Sequence, residues 1–279
     1  MAESSEIYAA QLAAVQAQNA RIYGPPYTGD PWGGASARQF RFDPLRVMDG
    51  NLAVIASYVR ADDVVVDVGG GAGRVCLSLA RNCREVINVE PSSGMGAEFQ
   101  SSADEAGITN ARLVSSFLAD ADGPKGDIVF TADVTYFVSD VVAFVRQMEA
   151  AAARRVMITI WSEPPPNRRA KLFQLFYGEE QNIFPGQAQL LPVLRDLEIL
   201  PDVLVMPESP WWENQRPQTR EAAIEMVLED RVVKPQDKDQ AQPLIESHFY
   251  ELFAASDAGF VPQWRSDMRE ILITWEPGS

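Results

Sequence analysis

Between Val64 and Trp161 the chain alternates short β-branched runs with helix-forming stretches, a rhythm that few architectures accommodate. Val64–Val68 and Ala111–Val114, with residues 85–90, 127–131 and 156–161, have the length and composition of buried parallel strands. Residues 73–81, 94–105 and 140–153 have helical spacing. In the last of these Val141, Val142, Phe144, Val145 and Met148 share one face. A strand feeding a helix and then a parallel strand packs back by a right-handed crossover, so this repeat predicts a doubly wound α/β sheet.

The flanks follow other rules. Residues 6–22, rich in Ala and Gln, suit a helix, and the Gly- and Pro-rich stretch from Tyr23 to Gly34 breaks regular structure. A second helix is expected over 44–59. After Trp161 the run Ser162-Glu163-Pro164-Pro165-Pro166 ends the alternation. Helices are then expected at 167–176, 187–197 and 219–229, the last with Thr219 as N-cap. Residues 203–206 suit a strand or an extended link, and 234–240 a polar loop. A helix over 243–257, closed at Gly259, leads to two expected strands, 261–265 and 269–275.

Composition narrows the partners. With 24 basic against 39 acidic side chains the net charge is -15, which repels phosphate backbones and anionic membrane surfaces. The apolar runs are far shorter than a bilayer span, and Met1 to Glu6 is polar, without a basic and apolar leader. Cys76 and Cys83 suit small reduced core residues. These features together predict a cytoplasmic protein.

The chemistry concentrates at Asp67-Val68-Gly69-Gly70-Gly71-Ala72-Gly73, a strand end running into a glycine-rich turn and a helix. Such a turn lets backbone approach a nucleotide closely. A dinucleotide fingerprint needs Gly-x-Gly-x-x-Gly; Gly69 and Gly71 fit its first positions, but residue 74 is Arg. The spacing is instead Asp-x-Gly-x-Gly-x-Gly, and an acid at Asp67 welcomes an ammonium group while repelling a pyrophosphate. Residues 61–161 resemble the core of the class I S-adenosylmethionine-dependent methyltransferases, whose first motif this segment matches residue by residue.

That resemblance implies a Rossmann-like sheet of seven strands, mostly parallel with the last antiparallel, under a mainly helical cap. It implies S-adenosylmethionine as cofactor, with S-adenosylhomocysteine as product. Asp67, Gly69, Gly71 and Gly73 would hold its methionine end. Glu90, in Val89-Glu90-Pro91, would bind both ribose hydroxyls, since a carboxylate accepts two hydrogen bonds at once. Pro91 and Met95 would border the nucleoside. Where many members carry an acid for the adenine amino group this chain has Ser116, so Ser116 or the Phe117 backbone would serve. Ala132 and Asp133, with the segment through Tyr136, would wall the methyl end.

The same resemblance divides the chain into an N-terminal helical lid (1–60), a core (61–161 and 246–279) and a helical insert covering the substrate (162–245). Tyr27, Trp32, Tyr136, Trp161, Trp211 and Trp212 are candidates to line an acceptor cavity. His248, the only histidine, and Tyr136 are candidate proton acceptors. A sulfonium is already activated, so methyl transfer needs alignment more than strong base catalysis. No His, Cys, Asp or Glu spacing suggests a metal site. The expectation is metal-independent transfer to a small molecule, with the O, N or C acceptor open and monomer or homodimer undecided.

Two rivals use the same sheet. An NAD(P) oxidoreductase is disfavoured by the incomplete fingerprint and by the absence of a Tyr-x-x-x-Lys pair. A non-catalytic S-adenosylmethionine-binding protein is compatible with the residues. A protein or RNA methyltransferase is a third possibility. The acidic charge disfavours RNA, and Ala132-Asp133-Val134-Thr135 stands where an Asn-Pro-Pro-Tyr-type tetrapeptide would be expected, which argues against amide and exocyclic base nitrogens as acceptors.

Overall fold

A computed structural model describes residues 3–118, 123–208, 217–264 and 268–278. Its centre is a seven-stranded sheet of order β3-β2-β1-β4-β5-β9-β6. The strands are β1 (Val64–Val68), β2 (Glu85–Val89), β3 (Ala111–Val114), β4 (Gly126–Ala132), β5 (Ala152–Trp161), β6 (Asp202–Val205) and β9 (Glu270–Trp275). β1 to β5 are parallel, while β9 runs antiparallel between β5 and β6. The switch of strand order lies between β1 and β4, and β1 carries the glycine turn at its tip.

Alternation within the strands builds two apolar layers. Val64, Val66, Val68, Ile158 and Ile273 pack on one face against α6 (Val141–Ala151) and α8 (Gln187–Asp196). Val65, Met157 and Leu272 pack on the other against α3 (Gly50–Ala56), α4 (Cys76–Leu79) and α5 (Ser93–Glu105). Burial on both faces explains why β1 reads as an unbroken apolar run around one acid.

The N-terminal helix α1 (Ser4–Tyr23) lies over the first layer, burying Tyr8, Leu12 and Val15. Its polar positions are seated as well. Gln18 donates to Glu180 O at 2.8 Å and Gln11 to Ile183 O at 2.9 Å. The Tyr8 hydroxyl donates to Thr135 O at 2.6 Å, directly behind the turn after β4. A short helix α2 (Ala35–Arg38) follows the Gly- and Pro-rich stretch.

A second, smaller core stands apart from the sheet. Leu172 and Phe173 of α7 (Ala170–Tyr177) pack with Ala223, Val227 and Leu228 of α9 (Arg220–Leu228), and with Ala241 and Ile245 of α10 (Lys238–Ser247). Phe249 and Leu252 of α11 (Phe249–Leu252) complete it with Phe253, which opens a hairpin of β7 (Phe253–Ser256) and β8 (Gly259–Pro262).

These packings revise the expected boundaries. The sixth strand of the sheet is β6, inside the 162–245 segment expected to be a helical insert, and α8 from that segment packs on the sheet. Val261 and Pro262, from the expected 261–265 strand, instead lie in the cap hairpin, in β8. Both candidates are short and apolar, and a partner strand rather than periodicity decides between them. Two helices also move. α3 starts late because the Asp49 side chain accepts from Leu52 N at 2.7 Å, capping it there. α10 starts before Pro243 and contains it, so the helix expected from 243 to 257 ends early in α11 and β7.

Candidate cofactor and acceptor site

The glycine turn takes its shape from left-handed backbone, with φ of +69° at Gly69, +56° at Gly71 and +85° at Gly73. Gly73 is also packed so closely that a β-carbon would stand 2.6 Å from Leu77 Cδ1 and 2.8 Å from Phe99 Cδ2. Neighbouring strand ends brace the turn. Asn88 of β2 donates its amide to Gly71 O at 2.9 Å, and Gly71 N donates to Glu90 Oε2 at 3.0 Å. Ser92 N donates to the other Glu90 oxygen at 2.7 Å. Glu90 is buried at the tip of β2, and burial raises its carboxyl pKa against the pull of these two N–H groups.

Asp67 is buried inside β1, and burial pushes its carboxyl pKa up to about 7, with the Cys76 thiol and the Arg74 charge drawing it partly back. Asp67 Oδ1, Asn88 Oδ1 and Ser116 Oγ are buried without hydrogen-bond partners. Buried polar atoms are nearly always paired, so two such atoms beside the glycine turn, with a third on the segment leaving β3, mark places for polar ligand groups. Together with the glycine cradle they fit the amino-acid and adenine ends of S-adenosylmethionine.

A strap closes the outer rim. Asp30 Oδ2 accepts from Gly94 N at 3.0 Å, Ser92 Oγ at 2.9 Å and Ser93 Oγ at 3.3 Å, at the start of α5. These bonds hold the Asp30 carboxyl below its ordinary pKa, the Gly94 N–H most. Gly94 has no room for a side chain, because its β-carbon would lie 2.4 Å from Gly33 Cα. The strap lays Trp32 on Ala37, Ala72 and Met95, beside the glycine turn. Trp32 meets Phe137 edge-on at 6.4 Å between centroids, and Phe137 meets Phe184 at 5.5 Å.

The tip of β4 carries the strained residue of the site. Asp133 has φ +61°, a left-handed conformation that Asp tolerates better than most residues. Its backbone N–H donates to Thr159 O at 3.1 Å. Arg74 Nη2 donates to its Oδ2 at 2.9 Å and Tyr136 OH to its Oδ1 at 3.4 Å. Burial raises the Asp133 pKa, and Arg74 opposes it. Glu270, which opens β9, faces the same neighbourhood, and its carboxyl pKa is likewise raised by burial. Asn51 donates to Glu270 Oε2 at 2.9 Å and is itself fixed by Glu208 N at 2.8 Å.

The expected site residues therefore divide. Asp67, the three glycines, Glu90, Met95, Ser116, Ala132 and Asp133 stand at the tips of β1 to β4 or on the turns that leave them, with Trp32 adjoining. Pro91 and Phe117 are exposed at the rim. Tyr136 is no free proton acceptor: it is buried, its oxygen accepts from Trp161 N at 2.6 Å, and burial raises its pKa far above the usual value. Trp161 is buried, with its side chain against the Asp133 carboxyl. Tyr27 lies 75% exposed with its ring over Gly29. His248 belongs to the cap, where its Nδ1 lies 3.0 Å from both Leu244 O and Ser247 Oγ. It stands between α10 and α11, both of which pack into the second core. Trp211 and Trp212 lie outside the described residues.

Arg74, Phe137, Phe184, Asn51 and Glu270 escaped the sequence reading. Arg74 adjoins the glycine motif and Phe137 adjoins Tyr136, so position alone could have flagged both.

Comparisons with known proteins point the same way for the central part of the chain. Residues 65–154 match the model of a methyltransferase domain. A ubiquinone biosynthesis O-methyltransferase from Azorhizobium caulinodans is 35% identical over 85 residues, 30% of this chain and 33% of that protein. The chain thus matches about a third of that relative's length. The YcgJ protein from Bacillus subtilis aligns over 82% of this chain and 98% of its own, with TM-score 0.54 and 16% identity. A methyltransferase from Geobacter sulfurreducens, solved with S-adenosyl-L-homocysteine, covers 85% of this chain and 94% of its own, with TM-score 0.50 and 13% identity. Residues 65–154 thus carry a methyltransferase domain, set in a seven-stranded Rossmann-like sheet.

Proposed function

We propose that the protein transfers the methyl group of S-adenosylmethionine to a small-molecule acceptor, without a metal ion. Glu90 carries this reading. Each of its oxygens accepts one backbone N–H, and a carboxylate offers about four lone-pair sites, so further sites remain for a vicinal diol. It stands beside a turn that only glycines can form, at the switch of strand order where α/β sheets bind ligands.

When bound, S-adenosylmethionine supplies a methyl group activated by a sulfonium. Asp67 and Asn88 offer unpartnered oxygens to its ammonium group, and Ser116 one to the adenine, with the Phe117 backbone next to it. Met95 and Trp32 cover the nucleoside side, Pro91 edges the ribose, and Ala132 and Asp133 wall the methyl end. Tyr136 and Trp161 hold the Asp133 turn, while Phe137 and Phe184 give the acceptor an apolar wall. Alignment in a water-poor cleft supplies most of the rate gain such a displacement needs.

Among the described residues no group of three or more His, Cys, Asp or Glu is placed to hold a metal ion. The net charge of -15 supports a small molecule over a nucleic acid. The relative's printed activity favours oxygen nucleophiles as the first acceptors to screen. Two unpaired buried cysteines support a cytoplasmic location, and among the described residues no helix is long and apolar enough to cross a membrane.

Calorimetry tests the donor. The wild type should bind S-adenosylmethionine and S-adenosylhomocysteine, and E90A or G71V should weaken both by at least roughly tenfold. Near-normal affinity in both variants would overturn the assignment. Incubation with methyl-labelled donor and a metabolite panel then tests transfer, and label left wholly on the donor would favour a non-catalytic binder.

A further inference from the structure

Asp67 and Glu90 account for the ammonium and the ribose of the donor, yet its amino-acid end also carries a carboxylate. We infer that Arg74 binds that carboxylate, its guanidinium held in place by Asp133; this rests on the donor assignment above. Arg74 follows Gly73 directly, so the same turn that brings backbone to the ligand delivers this side chain to the tip of β4. Its Nη2 is spent on Asp133 Oδ2 at 2.9 Å, whereas Nη1 and Nε make no hydrogen bond among the described residues. The side chain is 23% exposed, so it is not sealed within the core.

A guanidinium is a planar fork whose donor pairs match a carboxylate, and fixing one nitrogen aims the rest. Several groups fix it. Asp133 is itself clamped by Tyr136 OH and by its backbone bond to Thr159. Arg46 donates to Arg74 O at 2.8 Å and to Ser78 Oγ at 2.8 Å, bracing the turn from behind. Asp67, Asp133 and Glu270 all feel the Arg74 charge. One cation among three acids is a mixed-sign cluster. Such a cluster reads a zwitterion, with ammonium on the acids and carboxylate on the arginine.

The donor's fragments separate this role from a structural one. 5′-Methylthioadenosine keeps the nucleoside and sulfur of S-adenosylhomocysteine but lacks the amino-acid end. Calorimetry with R74Q should show S-adenosylhomocysteine bound roughly ten- to hundredfold more weakly, with 5′-methylthioadenosine within about threefold of wild type. R74K, which keeps the charge and loses the fork, should fall between for the first ligand and leave the second unchanged. Equal losses for both ligands, or no loss for either, in the two variants would overturn the inference. Failure of the wild type to bind S-adenosylhomocysteine would instead reject the donor assignment beneath it.

Discussion

At the scale of single residues, Asp67 links the site to stability. Its pKa in the folded chain is about 7, while an unfolded aspartate titrates near ~4. The folded state therefore keeps a proton that the unfolded state gives up. The stability this carboxyl contributes is full below the unfolded pKa and drains away as pH rises toward the folded one. Glu90, Asp133 and Glu270 are raised as well and act with the same sign. Unligated protein should lose stability in denaturant melts between pH 5 and pH 8, and D67N should lose distinctly less. An identical slope in D67N would show that Asp67 titrates normally. Asp67, the glycines and Glu90 were legible in sequence because each falls at a strand end or in the turn that directly follows one. Asn51 and Glu270 were not, for they meet across 219 positions and only the sheet order joins them.

At the scale of elements, Asp30 ties an irregular strap to the first turn of α5. Its carboxylate satisfies one helix N–H and two serine hydroxyls, and such a contact is worth about 1 kcal/mol when removed. D30A should lower the melting temperature by only a few degrees, yet make the strap over residues 24–34 much easier to cut in limited proteolysis. Unchanged cutting would mean that Trp32 alone holds the strap. The pH sign is opposite to that of Asp67. The Asp30 carboxyl is lowered, so its contribution is present above the unfolded pKa and lost on acidification through the folded one. The alternating strands and helices of the core lay open in the sequence because buried parallel strands are written in Val and Ile. β6 and β8 were exchanged because an exposed four-residue strand and a cap hairpin look alike until their partners are known.

Across the whole molecule, α1 ties the first residues to the active face. The buried Tyr8 hydroxyl meets Thr135 O over 127 positions, while Arg21 and Glu179 pair at the surface at 2.5 Å. A buried hydroxyl bond is worth about 1 kcal/mol, whereas an exposed ion pair contributes between nothing and about that amount and is screened by salt. Y8F should therefore shift the denaturant midpoint more than R21A does, and only the R21A effect should fade in high salt. The reverse order would mean that α1 is held by its rim. Helical spacing of Leu12 and Val15 marks the buried face of α1, but nothing local names Thr135 as the partner of Tyr8.

The position of β9 has a consequence for synthesis. On the ribosome β6 emerges long before its neighbour, and the rest of the second core, from Arg220 to Pro262, is made in between, after α7. β5 and β6 cannot pair with each other, because the slot between them belongs to the last strand. The nascent chain thus carries two open strand edges, one of them apolar, until β9 arrives and joins both at once. Sheet closure is a late event, and the cap has every opportunity to fold before it.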